Sequence, residues 1–211
     1  MEPIITDNVI TDKELHPLYV HLISKENWYL NRHSFMEEGS IDHKNRMFTI
    51  NLEPNPPYCG LLVEPGSDLW KMFVGLVPFL EEKNNIKLPN YVARVDLNSC
   101  YHGIKPVMHP DVAKVQDPSN NAISIIGHLT PVWDPNWGGS TWVEDKEINY
   151  TPGRFIVFNS RQLHRGEGPS VPINWWRIAL NIILVDEFGK EAFLREGWDR
   201  DILEVKDIHL G

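Results

Sequence analysis

The sequence predicts a mainly β protein, a sandwich or barrel with flanking helices, and two observations lead to this fold class. Between about residues 90 and 186, short alternating apolar runs are bounded by Gly, Pro, Asn and Asp. Before them, apolar residues recur at helical spacing. A chain of 211 residues suits one domain. We therefore expect a single domain over 1–211, with a helical part at about 1–88 and a β core at about 89–186.

Two helices are expected in the first part. Thr11 and Glu14 have the spacing of a capping box, and apolar residues follow at helical intervals, so a helix over about 12–25 is predicted. A second amphipathic pattern covers 67–84 and is expected to be interrupted near Pro78. Helices placed in this way would cover an outer face of a sheet.

The predicted strands share alternating or apolar character and are separated by turn-forming residues. They cover 47–52, 91–97, 107–112, 122–129, 140–143, 155–158 and 175–185. A short helix is expected near 191–196.

Composition restricts the functional classes. The formal charge is −9, which disfavours general binding to a phosphate backbone. Two cysteines are too few for a disulfide framework, so a reducing cytoplasm is the expected location. The sequence has no apolar run of the roughly 18 residues that a membrane span needs, and its N-terminus lacks a basic signal region.

His109 and Asp111 form the first feature with chemical meaning. Residues two apart in an extended segment point to the same side, so this imidazole and carboxylate can converge on one ion. One further ligand would complete a 2-His-1-carboxylate facial triad, the arrangement of oxygen-activating Fe(II). Alone, the pair does not separate a metal site from a surface turn.

His164 and Arg177 supply the other two features. His164 follows an apolar strand and a polar turn, at a strand mouth, where a ligand-binding histidine and a hydrogen-bonded turn histidine are both consistent with the sequence. Arg177 lies in an apolar strand and shares one face with Trp175, Ala179 and Asn181. A buried guanidinium requires an anion, either an internal carboxylate or that of a ligand.

Taken together and in order, these segments resemble the iron(II)/2-oxoglutarate dioxygenases, and most closely the prolyl 4-hydroxylase-like branch. The resemblance covers about 90–186. Its segments are the His-x-Asp motif at 109–111, the tryptophan-rich hairpin with its Gly-Gly pair at 125–141, Pro-Gly-Arg-Phe-Ile-Val-Phe at 152–158, His-Arg-Gly at 164–166 and Trp-Arg-Ile-Ala-Leu at 176–180.

The resemblance implies a double-stranded β-helix, or jelly roll. It implies that His109, Asp111 and His164 bind Fe(II) and that Arg177 pairs with the distal carboxylate of 2-oxoglutarate. It also nominates two further residues for the cofactor pocket, Asn181 and Asn98.

The implied activity is a dioxygenase reaction that consumes 2-oxoglutarate and O2 and releases succinate and CO2, with ascorbate as a candidate reductant. Halogenating relatives replace the triad carboxylate by a small residue, so Asp111 predicts hydroxylation or another oxidation rather than halogenation. The branch favours a peptidyl proline or an amino acid as substrate.

Two departures and three rival functions accompany this interpretation. The stretch 124–128 lacks a tyrosine that several relatives use to bind the cofactor, and Ser124 or His128 are its candidate substitutes. The loop 167–174 is longer than in many relatives. The rivals are a nucleic-acid demethylating oxygenase, which the acidic charge disfavours, a non-catalytic jelly-roll binding module, and a zinc hydrolase, which would leave Arg177 unexplained.

Overall fold

Antiparallel β-sheet dominates the computed structural model of this chain, which describes residues 1–24, 29–30, 58–198 and 201–207. The main sheet has eight strands, and a small sheet has three. Every strand pairing in both sheets is antiparallel. The mainly β prediction is thus confirmed, with helices flanking the sheets.

The main sheet has the strand order β1-β8-β5-β10-β4-β3-β2, with β11 also pairing with β4. Its strands are β1 Ile4–Thr6, β2 Tyr29–Leu30, β3 Tyr58–Leu62, β4 Tyr91–Cys100, β5 Ile123–His128, β8 Phe155–Asn159, β10 Arg177–Val185 and β11 Leu203–Glu204. The small sheet has the order β7-β6-β9, with β6 Thr141–Val143, β7 Lys146–Ile148 and β9 His164–Gly166. The helices are α1 Asp12–Ile23, α2 Asp68–Val74, α3 Leu76–Asn84 and α4 Glu187–Arg195, with 3-10 turns at Pro135–Trp137 and Val205–Asp207.

The N-terminal part is not purely helical, because β1, β2 and β3 all join the main sheet. Helix α1 begins as predicted, with a capping box: the Thr11 side chain accepts from the backbone N–H of Glu14, and the Glu14 carboxylate accepts from the backbone N–H of Thr11. The second helical pattern is interrupted near Pro78, as predicted, and the break itself lies three residues earlier, at Gly75, which ends α2 and precedes α3. Pro78 is the third residue of α3, where a backbone N–H has no partner within the helix.

Most predicted strands are present, with two differences. The segment 107–112 forms only a single bridge, between His109 and His164. Pro106 and Pro110 flank that bridge, and proline cannot donate to a ladder. The predicted strand at 47–52 lies outside the described residues.

The two faces of β10 differ in polarity. One face is apolar, and its Ile178, Leu180, Ile182 and Leu184 lie in the main hydrophobic core, together with residues of α1, α2 and α3. The opposite face, which we call the site face, carries polar groups from three adjacent strands. From the strand register it comprises Arg94, Asp96 and Asn98 of β4, Arg177, Ala179, Asn181 and Ile183 of β10, and Ser124, Ile126 and His128 of β5.

Trp175 does not share the face of Arg177, contrary to the alternation argument, because the strand begins only at Arg177. Its ring lies 5.1 Å from that of Tyr19, and it packs against the main core.

None of the helices that the structure describes is long and apolar enough to cross a membrane.

Candidate active site

The bridge between the 107–112 segment and β9 brings two histidines together. The backbone N–H of His109 donates to the carbonyl of His164 over 3.0 Å, and the reverse bond is also 3.0 Å. The two imidazole rings are 4.8 Å apart between centroids. Residues far apart in the sequence therefore face each other directly across a backbone pairing.

Asp111 completes the cluster. Its backbone N–H donates to the carbonyl of Ser160 over 2.9 Å, so the segment stays attached beside β8. The candidate ligand atoms of His109, Asp111 and His164 all lie within 4.8 Å of one another. Among the described residues, this is the one group of three or more His, Cys, Asp or Glu side chains with such proximity.

Hydrogen bonds orient both imidazoles. Nδ1 of His109 lies 3.0 Å from the carbonyl oxygen of Val107, and Nδ1 of His164 lies 3.2 Å from that of Gln162. A carbonyl oxygen can only accept, so these contacts require the proton on Nδ1. In the neutral ring with this tautomer, Nε2 carries the lone pair that binds a metal ion.

The electrostatics match a cation site. Burial alone would raise the pKa of the Asp111 carboxyl, but His164, Arg94, His109 and the Ser124 hydroxyl outweigh it, and the net pKa lies below the ordinary value. Burial lowers the pKa of His164, and the opposing attraction of Asp111 does not reverse this. The centre therefore has an ionised carboxylate and a neutral buried imidazole at neutral pH, as metal binding requires.

Three side chains hold the Asp111 carboxylate. Oδ1 accepts from Nη2 of Arg94 at 3.1 Å and from Nδ2 of Asn181 at 3.0 Å. Oδ2 accepts from the Ser124 hydroxyl at 2.6 Å and lies 3.4 Å from Nε2 of His164. The Ser124 hydrogen is used in this bond, so Ser160, whose hydroxyl oxygen is 2.8 Å away, is the donor to Ser124.

A second polar centre surrounds Arg177, four residues along β10 from Asn181. Its side chain is 2% exposed. Nε donates to the carbonyl of Gly139 over 2.8 Å, Nη2 lies 3.2 Å from the Thr141 hydroxyl, and the guanidinium is 4.9 Å from the centroid of the Tyr150 ring. Within the described part of the chain, no carboxylate lies at ion-pair distance from it.

His128 organises the Thr141 hydroxyl. The backbone N–H of Thr151 donates to Nδ1 of His128 over 3.1 Å, so the ring proton is on Nε2, which donates to the Thr141 oxygen over 3.1 Å. Burial, followed by the charges of Arg177 and Arg154, lowers the pKa of His128 well below its ordinary value, and the ring is neutral. Thr141 thus accepts from two donors, and its own hydrogen is available to an anion.

The structure brings together five of the six residues that the sequence singled out, in two groups. His109, Asp111 and His164 form one centre, with Asn181 touching its carboxylate, and Arg177 forms the other. Asn98 pairs with Ala179 on the site face, and its amide makes no hydrogen bond with the described residues. No other contact among the described residues places Asn98 against the triad.

Sequence reasoning missed Arg94 and Thr141. Arg94 had a signal, since an arginine within an apolar strand needs a counterion, and strand alternation places Asp96 on its face, but nothing local indicated that Arg94 also pairs with Asp111. Two residues were considered as substitutes for the absent tyrosine. Ser124 donates to the Asp111 carboxylate, whereas His128 contacts the Thr141 hydroxyl, which also contacts Arg177.

The fold was compared with known proteins. No protein-family model matches the chain, and no curated protein matches its sequence. Solved structures do match. A prolyl hydroxylase from Trichoplax adhaerens, in complex with a peptide of the hypoxia inducible factor oxygen degradation domain, aligns at a TM-score of 0.61 and 14% identity, over 90% of this chain and 86% of that one.

Two other similar structures broaden the comparison. A prolyl-4-hydroxylase from Pseudomonas putida aligns at a TM-score of 0.59 and 12% identity, over 88% of this chain and 92% of that one. The non-haem, α-ketoglutarate-dependent carbocyclase SnoK of nogalamycin biosynthesis aligns at 0.56 and 13%, over 87% and 79%. The resemblance found in the sequence is confirmed in structure: this chain has the fold of prolyl 4-hydroxylases and other 2-oxoglutarate-dependent non-haem iron enzymes, and it carries a His-Asp-His triad.

Proposed function

We propose that this chain is an Fe(II)- and 2-oxoglutarate-dependent dioxygenase that hydroxylates a peptidyl proline or an amino acid. In the balanced reaction, substrate C–H, 2-oxoglutarate and O2 give substrate C–OH, succinate and CO2. One observation carries the proposal. A triad of metal-ligand side chains is anchored through Asp111 to Arg94, Asn181 and Ser124 of the site face, and the same face carries a buried arginine without a carboxylate partner in the described residues.

The triad fits a divalent iron. Two imidazoles, each with Nδ1 near a backbone carbonyl oxygen, and one carboxylate form a 2-His-1-carboxylate set, which leaves coordination positions open. His109, Asp111 and His164 would hold the ion. The iron would supply the activation of O2 with 2-oxoglutarate as the source of two electrons. The amide oxygen of Asn181 is buried and has no hydrogen-bond partner among the described residues, consistent with a site that another donor completes.

The Arg177 centre fits the distal carboxylate of 2-oxoglutarate. Arg177 and Asn181 are four residues apart on β10, or about 13 Å along the strand, a span that the arginine side chain and a five-carbon diacid can bridge. Arg177 offers its remaining N–H groups, and Thr141 offers its hydroxyl hydrogen. Two converging donors of this kind are the usual means of binding a carboxylate.

The residues of this chain have distinct tasks in the reaction. Arg177 and Thr141 orient 2-oxoglutarate along β10. Tyr150, beneath the guanidinium, excludes water from the charged contact and thereby strengthens it. Asn181 orients Asp111, and Asn98 is proposed to line the pocket across from Ala179. We further propose that the two sheets form a jelly roll and that 1–211 is a single domain.

The substrate class rests on the likeness to two prolyl hydroxylases, one of which is bound to a peptide. The likeness to a carbocyclase indicates that the same fold also serves other reactions. Asp111 favours hydroxylation over halogenation, because halogenating relatives lack this carboxylate, and the choice of hydroxylation over other reactions of the fold rests on the two prolyl hydroxylases. The experiment below therefore examines the oxidised product as well as the turnover of 2-oxoglutarate.

The test is formation of succinate from 2-oxoglutarate by the Fe(II)-loaded protein under O2. Succinate should form with Fe(II), disappear on chelation and disappear in Asp111→Ala, while Arg165→Met, an arginine paired with Glu167 in the small sheet, retains it. Proline peptides and free amino acids are then screened by mass spectrometry in 18O2. Gain of one labelled oxygen supports hydroxylation; folded, iron-loaded protein without any succinate contradicts the proposal.

A further inference from the structure

A second carboxylate, that of Asp96, is paired with Arg94, the arginine that also contacts the triad carboxylate. Nε of Arg94 is 2.5 Å from Oδ2 of Asp96, and Nη2 of Arg94 is 3.1 Å from Oδ1 of Asp111. The Asp96 and Asp111 side chains are 13% and 3% exposed, and that of Arg94 is 19% exposed. One guanidinium therefore bridges a triad carboxylate and a neighbouring carboxylate in a largely buried setting.

The position of Asp96 makes it a potential competitor for the metal. Asp96 pairs directly with Asn181 across β4 and β10, and Asn181 donates to Asp111. Its side chain belongs to the site face, on which the triad carboxylate is anchored. A carboxylate attracts a divalent cation strongly, and an additional carboxylate ligand would take a position that the chelating cosubstrate needs.

The hydrogen bonds of Asp111 bear on how it can bind a metal. Its carboxylate has about four acceptor positions. Arg94 and Asn181 use the two on Oδ1, and Ser124 uses one on Oδ2. The remaining lone pair, on Oδ2, is beside Nε2 of His164. Asp111 can therefore offer one oxygen to a metal, and binding through both oxygens would displace Arg94 or Asn181.

We propose that Arg94 is a positioning residue that keeps the metal centre at three protein ligands. It does so by binding Oδ1 of Asp111 and by pairing with the Asp96 carboxylate, so that neither Oδ1 of Asp111 nor Asp96 becomes a fourth protein ligand of the metal. The inference rests on the proposed function, because an open set of positions matters only if a cosubstrate and O2 must bind. It also explains why a cation is placed beside a cation site, where repulsion would otherwise select against it.

The experiment measures Ni(II) binding to the metal-free protein, and then 2-oxoglutarate binding to the Ni(II)-loaded protein, by titration calorimetry. In Arg94→Met, Ni(II) should bind more tightly, by about tenfold or more, because a repelling charge is lost and Asp96 is released. Binding of 2-oxoglutarate should weaken, by about tenfold, because fewer positions remain. In the double variant Arg94→Met/Asp96→Asn, which restores the net charge, Ni(II) affinity should return to near that of the wild type.

Opposite changes in the two affinities distinguish positioning from a structural role, since mere loss of structure lowers both. The proposal is overturned if Arg94→Met lowers Ni(II) affinity, or if the gain in affinity persists in the double variant. Arg94→Lys provides a second case should Arg94→Met not fold: a single ammonium cannot bridge two carboxylates as a guanidinium does, so the changes should have the same signs and be smaller. If wild-type protein binds Ni(II) but not 2-oxoglutarate, the proposed function fails, whereas the Ni(II) comparison still tests Arg94.

Discussion

Replacing Arg177 by methionine separates a cosubstrate-binding arginine from a structural one. The side chain is 2% exposed, and its described polar contacts are the Gly139 carbonyl and the Thr141 hydroxyl. Methionine retains much of the volume and the packing on Tyr150 but removes the charge. The two hypotheses for Arg177, an anchor for 2-oxoglutarate and one half of an internal ion pair, predict different magnitudes for binding and for stability.

The binding loss follows from the burial of the charge. Truncating one partner of a buried charged pair costs about 2–5 kcal/mol, so the Kd for 2-oxoglutarate should rise roughly 30- to 5000-fold. Iron binding should change little, because Arg177 has no contact with the triad. Arg165→Met serves as the matched control, since Arg165 pairs with Glu167 in the small sheet, and it should leave the Kd unchanged.

The stability change should be small by comparison. The Gly139 carbonyl loses its donor, which costs about 1–3 kcal/mol, and Thr141 still accepts from His128, while removal of a buried charge without a carboxylate partner returns about 1–4 kcal/mol. The free energy of unfolding of the metal-free protein, measured by urea denaturation, should therefore change by less than about 2 kcal/mol. A loss of about 3–5 kcal/mol, as expected for a broken internal ion pair, together with an unchanged Kd for 2-oxoglutarate, would refute the assignment.

Three further perturbations follow from the geometry. A Cβ at Gly166 would lie 3.1 Å from Nη1 and 3.2 Å from Nη2 of Arg177, so Gly166→Ala should displace the guanidinium. Calorimetry should then show weaker binding of 2-oxoglutarate and unchanged binding of Ni(II). An unchanged affinity for 2-oxoglutarate would contradict the placement of the pocket. The pKa of His128 is lowered in the folded protein, so the unfolded chain takes up a proton near pH 6.5 that the folded chain does not, and the free energy of unfolding falls as the pH drops below that value. In His128→Asn, the slope of this free energy against pH, measured by urea denaturation from pH 7 to 5, should decrease by up to about 1.4 kcal/mol per pH unit. A slope identical to that of the wild type would show that the ring is not held neutral. Thr11→Ala removes one half of the capping box of α1 and should lower the free energy of unfolding by about 1 kcal/mol without altering Ni(II) affinity; no change in stability would mean that the box does not contribute.

The sequence predicted those features that depend on local periodicity and residue type. Alternation placed Ile178, Leu180 and Ile182 in the core and buried Arg177 on the opposite face, and both are found. The two-residue spacing of His109 and Asp111 anticipated their convergence. These features need only strand geometry and the cost of burying a charge, which any chain obeys.

Features that depend on long-range pairing could not be obtained in this way. The meeting of His109 with His164 results from a backbone bridge, and Asp111, the distant carboxylate partner of Arg94, lies on a loop that packs beside β4. Thr141 touches Arg177 only because the small sheet packs near the end of β10. No local pattern encodes these contacts. The true position of the α2–α3 break likewise depended on Gly75, whereas Pro78 occupied a helix turn that tolerates it.

We propose that the triad and Arg177 together hold iron and 2-oxoglutarate. The most direct test adds Fe(II) and 2-oxoglutarate to the purified protein without oxygen and records the visible spectrum. We expect a metal-to-ligand charge-transfer band that is absent from His109→Ala, Asp111→Ala and His164→Ala and that requires far more 2-oxoglutarate in Arg177→Met. Folded wild-type protein that shows no band at saturating concentrations, or a band that persists in the triad variants, would contradict it.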